Sequence, residues 1–149
     1  MTKEPPCIPE DDPVAEAAAK LLALHHTSLP VVDAAGRFIG MFGVYDLLGL
    51  LLPRVALAGN LMSNLRFADD LIGLRRRYEE IKTKRVVEVT DRNRVMVRPD
   101  TSEIEAVRLC FLNHASVPVV ESATGKLVGL ISCGDALRAL ARTPASACR

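Results

Sequence analysis

The sequence predicts an α/β (α+β) fold in which two strand-helix-strand-strand-helix units pack with pseudo-twofold symmetry into one module. Three observations carry this expectation. First, Gly129-Leu130-Ile131-Ser132-Cys133-Gly134-Asp135 repeats Gly40-Met41-Phe42-Gly43-Val44-Tyr45-Asp46 in its pattern of glycine, apolar pair, small residue and aspartate. Second, the flanks repeat too: Leu29-Pro30-Val31-Val32 matches Val117-Pro118-Val119-Val120, and Gly36 to Gly40 matches Gly125 to Gly129. The register holds from Asp12/Asp100 to Leu48/Leu137, at an offset of 88 before one inserted residue and 89 after it, which marks an internal duplication. Third, each copy alternates short β-branched runs with segments of helical periodicity. One copy is too small to bury its own sheet, so the pair is expected to share a single core.

Each element follows from its residues. Residues 1–11 are Pro-rich and acidic, with Cys7-Ile8 as a short edge strand. Asp12 suits an N-cap and Pro13 the first helical position, where a missing N–H costs nothing. Val14, Ala17, Ala18, Leu21 and Leu24 then give one apolar helical face as far as His26. Leu29–Val32 reads as a strand, Asp33 to Gly36 as a hairpin turn in which Gly36 takes positive φ, and residues 37–42 as the second strand. A helix over 44–52 is stopped by Pro53.

From Arg66 to Arg85, 11 of 20 residues are charged, yet Leu71, Leu74, Tyr78 and Ile81 recur at helical spacing behind Asp69 or Asp70 as a cap. This predicts an amphipathic connecting helix, with Arg75-Arg76-Arg77 paired along it to Glu79 and Glu80. Residues 86–89 read as an extra strand. The second copy continues with a strand over 94–97 and a helix capped by Thr101 or Ser102, with Ser102 and Glu105 spaced as a capping box and Ile104, Val107 and Phe111 facing inward. Strands over 117–120 and 126–131 and a helix from Cys133 to Arg142 complete it. The expected organisation is 7–54 as the first repeat, 55–85 as a charged helical connector and 86–143 as the second repeat, with 1–6 and 144–149 as flexible tails.

Composition narrows the function. Nineteen basic and 18 acidic residues give a formal charge of +1, which argues against a polyanion binder because such proteins draw most of their affinity from excess positive charge. The four cysteines, Cys7, Cys110, Cys133 and Cys148, form no Cys-x-x-Cys pair. With no secretory signal pattern at the start, they read as reduced thiols in a cytoplasmic protein, not as zinc ligands. The longest apolar run, residues 47–52, is far short of the roughly 20 residues of a membrane span. No nucleophile stands beside a base at a recognisable spacing, so the chain is not expected to be an enzyme.

The chemistry concentrates at Ser132 and Asp135. A hydroxyl and a carboxylate at a strand-to-helix junction can grip a nucleotide, since serine and the free N–H groups of a helix start donate to phosphate and aspartate accepts ribose hydroxyls. Ser-x-x-Asp before an apolar run is equally an ordinary helix N-terminus. His26 and His114, at equivalent helix ends, read as caps of helix carbonyls, and Cys133 as a buried, inert thiol.

The element order, the Pro-Val-Val strand and the Gly-x-x-Ser-x-x-Asp junction together resemble the cystathionine β-synthase (CBS) domain. The tandem pair resembles a Bateman module over about 100 of the 149 residues. The resemblance implies a ligand sensor that binds AMP, ADP, ATP or S-adenosylmethionine between the repeats, requires no other cofactor and dimerises into a flat disc. Ser132 would then contact the α-phosphate and Asp135 the ribose, with adenine near Val97 and Val117 and held by the backbone of Ala115, Ser116 and Val117. The first repeat departs from the pattern: Gly43 replaces the hydroxyl and Tyr45 stands where the second repeat has Gly134, so Asp46 keeps a ribose acceptor without a phosphate donor. Three function classes follow. One is a regulatory nucleotide-binding module acting in trans on an effector protein. The second is a dimerisation or interaction module without ligand. The third is a nucleic-acid-associated protein using Arg75 to Arg77 and Arg85, which the charge balance disfavours.

Overall fold

The computed structural model describes residues 1–52 and 67–142. The first repeat comprises β1 (Ile8–Pro9), α1 (Val14–Ala23), β2 (Ser28–Val32), β3 (Phe38–Gly43) and α2 (Val44–Leu51). β1 runs parallel and β3 antiparallel to β2. A connecting helix, α3 (Phe67–Ile81), and a 3-10 turn (Val86–Val89) lead into α4 (Glu103–Asn113), β4 (Val117–Val120), β5 (Leu127–Ile131) and α5 (Cys133–Arg142). No helix among the described residues is long and apolar enough to cross a membrane.

The pseudo-twofold axis can be read from the hydrogen bonds. Phe38 N donates to Gly125 O (2.9 Å) and Leu127 N to Gly36 O (3.1 Å), while Arg37 bridges Lys126. The two hairpin turns therefore meet as equivalents. They close because Gly36 and Gly125 hold φ of +80° and +70°, a region costly for residues with a Cβ. Each repeat's leading segment crosses to the other repeat: Thr2 pairs with Leu130 and Asp91 with Met41.

Several expectations are corrected. The clustered buried apolar side chains form two groups rather than one shared core, and the first draws Val86 from the start of the second repeat. Ile8, Val14, Ala17, Leu21, Leu29, Val31, Phe42 and Val86 make up the first, and Val97, Cys110, Val117 and Val119 the second. Residues 86–89 form a 3-10 turn and not a strand. With three residues per turn, Val86 and Val89 project to the same side, and both pack on the first cluster; a strand would have turned them to opposite faces. The N-cap of α1 is Pro13, not Asp12. Its first free N–H groups go to backbone carbonyls, Val14 N to Lys84 O (2.9 Å) and Ala15 N to Lys82 O (3.0 Å), so no side-chain cap is needed. The strand expected over 94–97 reduces to one parallel bridge between Val97 and Val119, since Arg98 N turns to Thr101 Oγ1 (3.0 Å) and Pro99 has no N–H to give.

On α4 the inward residues are Ala106 and Cys110, whereas Ile104 and Phe111 are 78% and 67% exposed and Val107 is also exposed. Small side chains let the helix lie close to its sheet, which turns the larger ones outward. Ser102 Oγ caps Glu105 N (3.3 Å), but Glu105 reaches Arg108 (3.1 Å) instead of closing the box. Asp69 and Asp70 lie inside α3, and Leu71 on that helix is exposed. Glu79 pairs with Lys82 (2.5 Å), and Arg77 donates to Leu51 O at the end of α2 (2.8 Å). The left-handed residues at the ends of α1 and α4 are His25 and His114, and Cys133, expected to be buried, is exposed.

Candidate functional site

Both repeats run a strand directly into a helix, and the two junctions differ in how they satisfy their aspartate. At the second, Ser132 and Asp135 bond reciprocally. Asp135 N donates to Ser132 Oγ (3.0 Å), while Asp135 Oδ2 accepts from Ser132 N (3.0 Å) and from Ser132 Oγ (3.0 Å). Arg138 donates to Asp135 Oδ1 (3.0 Å). Burial pulls the Asp135 carboxyl upward, but the backbone N–H and hydroxyl of Ser132 outweigh it, helped by the amino terminus and Arg138, so the group is held below the ordinary value of 3.8.

At the first junction, Gly43 is extended (φ −144°) and offers no side chain, and Val44 N donates to Thr27 O (2.9 Å). Asp46 finds its partner in the other repeat: Arg94 donates to Asp46 Oδ1 (2.8 Å) and also pairs with Asp91 (2.8 Å). Asp46 Oδ2 is buried and accepts no hydrogen bond. Tyr45 is exposed.

The residues named from the sequence do not gather in one place. Ala115, Ser116 and Val117 line a cleft that Ser28 and Met41 of the first repeat close from the other side, with Arg94 and Val95 between. Arg94 joins this cleft to Asp46, while Val117 pairs across the sheet with Ile131, the residue before Ser132. The cleft is narrow, with a free volume of about 20 Å³, room for about one water. Val97 is buried beneath a second groove with Arg98 and Val119, which adjoins, through Met1, Glu103, Ala106 and Ile131, the groove that Asp135 borders with Ile104, Val107 and Leu140. Sequence reasoning missed Arg94, read only as the start of a strand. The available signal was a cation in the segment that leads the second repeat, set against a first repeat lacking its hydroxyl. Among the described residues, no group of three or more His, Cys, Asp or Glu side chains could hold a metal ion.

Two sequence repeats related by a pseudo-twofold axis, each carrying an aspartate at a strand-to-helix junction, define a tandem-repeat module. The CBS domain family model matches residues 1–53 and 86–142, more than half of the chain, and the chain belongs to that family. Among solved structures it is similar to the CBS-pair protein CBSX2 from Arabidopsis thaliana, with 25% identity and a TM-score of 0.71 over 95% of this chain and 90% of that one. A structure of CBSX2 in complex with AMP matches with 25% identity and a TM-score of 0.68 over 95% and 92% of the two chains. A CBS domain protein from Streptococcus pneumoniae TIGR4 shares the fold with 20% identity and a TM-score of 0.65 over 92% and 75%. No curated protein matches the chain.

Proposed function

We propose that this CBS-pair protein is a regulatory binder of an adenosine nucleotide, AMP, ADP or ATP, that takes its ligand between the repeats and passes the bound state to an effector protein in trans. The observation that carries the reading is the likeness, over nearly the whole of both chains, to a CBSX2 whose structure contains AMP. The two junction aspartates add to it, since each lies at a helix start where a ribose and a phosphate can be received together. In the second repeat, Ser132 would turn its hydroxyl from Asp135 to the α-phosphate and Asp135 would accept the ribose. In the first, Asp46 would accept the ribose while Arg94, released from it, supplies the phosphate charge that Gly43 lacks. The role is regulatory rather than catalytic, and the balanced charge fits a cytoplasmic protein that meets neither a polyanion nor a bilayer.

A homodimer belongs to the same reading. Leu48 and Leu50 on α2, Ile104, Val107 and Phe111 on α4, and Leu137 and Leu140 on α5 are all exposed, more apolar surface than a monomer commonly leaves in water. Light scattering at micromolar concentration is expected to report two chains; a monomer removes this part of the proposal. A thermal-shift series with AMP, ADP, ATP and S-adenosylmethionine tests the ligand. A ligand held only by the folded state stabilises it by about 2.7 kcal/mol at a hundredfold excess over its Kd. A rise with one of the adenine nucleotides is expected, and no rise with any of the four sinks the binding reading. The second reading, a ligand-free interaction module, is favoured by one observation: Ser132 and Asp135 satisfy each other. It would be selected by a dimer that shows no thermal response.

A further inference from the structure

The two repeats treat one equivalent surface differently. Three markers fix the equivalence at an offset of 89 residues: the helix N-caps Pro13 and Ser102, the left-handed His25 and His114, and the turns closed by Asp12 N to Pro9 O (3.1 Å) and Thr101 N to Arg98 O (3.0 Å). In the first repeat, the segment leading out of α3 lies across this surface. Val86 is fully buried there in one cluster with Ile8, Val14, Ala17, Val31 and Phe42. Backbone groups fix its path: Val14 N donates to Lys84 O (2.9 Å), Ala15 N to Lys82 O (3.0 Å), Val86 N to Asp12 O (2.8 Å) and Val87 N to Glu10 O (3.3 Å). Arg85 pairs with Asp11.

The second repeat presents the same surface with no occupant among the described residues. Val97, Glu103, Ala106, Val119 and Ile131, the counterparts of Ile8, Val14, Ala17, Val31 and Phe42, line a groove of about 620 Å³. The counterparts of the four backbone partners are open as well: Glu103 N, Ile104 N, Thr101 O and Pro99 O make no hydrogen bond among the described residues. Asp100, in the place of Asp11, is exposed, and an exposed Glu103 replaces the buried Val14.

We propose that this groove is the docking site of a partner protein, which lays into it a short 3-10 segment carrying a basic residue followed by two apolar residues three positions apart. The chemistry is that of the chain's own occupant, in which Arg85 precedes Val86 and Val89. With three residues per turn both apolar side chains enter together. The free N–H groups at the start of α4 donate to the segment's carbonyls, and Asp100 and Glu103 meet its cation, which sets the register. Lys3 and Arg98, on the same groove, suit an acid such as Glu88 supplies between the two valines. The inference rests on the duplication and is independent of nucleotide binding.

The test titrates a fluorescein-labelled synthetic peptide copying residues 82–91 into the full chain, read by anisotropy. Saturable binding at one site per chain is expected, and the same peptide carrying Val86→Asp should not bind. In the chain, Asp100→Lys, at an exposed position, should weaken binding about tenfold and leave the Tm unchanged. A photoreactive group at the Val86 position of the peptide should label tryptic peptide 95–108 or 127–138, which line the groove, and not residues 8–17 of the first repeat. The proposal is overturned if the peptide does not bind, if the label falls on residues 8–17, or if Asp100→Lys leaves the affinity unchanged. Binding seen only with a chain ending at Arg142 would overturn it in favour of residues 143–149 as the occupant. Binding seen only on dilution to monomer would overturn it in favour of a second copy.

Discussion

The junctions at residues 40–46 and 129–135 share a chain pattern and a backbone path, yet they satisfy their aspartates in opposite ways. Asp135 is satisfied within its own turn by Ser132 and Arg138. Asp46, facing a glycine, takes a guanidinium from a residue 48 positions away in the other repeat. One missing hydroxyl thus converts a local cap into a tie between the repeats, because a largely buried carboxylate left without a partner costs several times what an exposed one does. The steric setting agrees. A Cβ at Gly43 would fall 2.6 Å from Thr27 O and 2.9 Å from Ser28 Cβ.

The sharpest way to break this comparison is to try to erase it. Gly43→Ser should not restore a second grip; the forced shift of backbone should destabilise the fold by about 2–3 kcal/mol, read as a lower denaturant midpoint at unchanged m-value. A neutral substitution would mean that the glycine is not held in place by its surroundings. The next largest effect concerns ligand. Ser132 can give phosphate a charge-assisted hydrogen bond worth about 1.5–3 kcal/mol, so Asp135→Ala should cost about one to two decades more in nucleotide affinity than Asp46→Ala. Calorimetry that finds equal losses, or a larger one for Asp46→Ala, would instead credit Arg94 with full compensation.

Arg94→Met probes the tie between repeats directly. It leaves Asp46 without a counter-charge and should cost about 1–2 kcal/mol, while Arg94→Met combined with Asp46→Asn should recover part of that loss. A double variant no better than the sum of the two single ones would show that the pair is not coupled. The smallest effect is a pH dependence. Because the folded-state pKa of Asp135 lies below its ordinary 3.8, its contribution to stability is present above that value and is lost as pH falls through the lower, folded-state pKa. Asp135→Asn should therefore flatten the acid limb of the Tm profile below about pH 4 and leave its shape at neutral pH unchanged. An acid limb as steep as that of the parent protein would detach the carboxylate from its Ser132 bonds.

How much of this could be read beforehand depended on the range of the interaction. The hairpin turns at Gly36 and Gly125, the paired Pro-Val-Val strands and the helices that follow Gly43 and Ser132 came from local signals and stand where expected. The reciprocal bonds of Ser132 and Asp135 were legible as a Ser-x-x-Asp cap. By contrast, the apolar spacing of Ile104, Val107 and Phe111 marked a helix correctly but pointed to the wrong face, since periodicity reports that a face exists and not what lies opposite. The β-branched run at 86–89 has strand composition, yet the need to direct Val86 and Val89 into one cluster wound it into a 3-10 turn.

By itself the sequence determined the duplication, the order of elements within each copy, the family and the loss of a hydroxyl at Gly43, because each is written in residues a few positions apart. The tertiary structure alone decided that the leading segments cross between repeats, that Ala115 to Val117 share a cleft with Arg94, and that Arg94 ties this cleft to Asp46. Those outcomes depend on which surfaces meet when two near-identical units pack. That choice is made by the summed burial and pairing of residues far apart in the chain, which no short window of sequence contains.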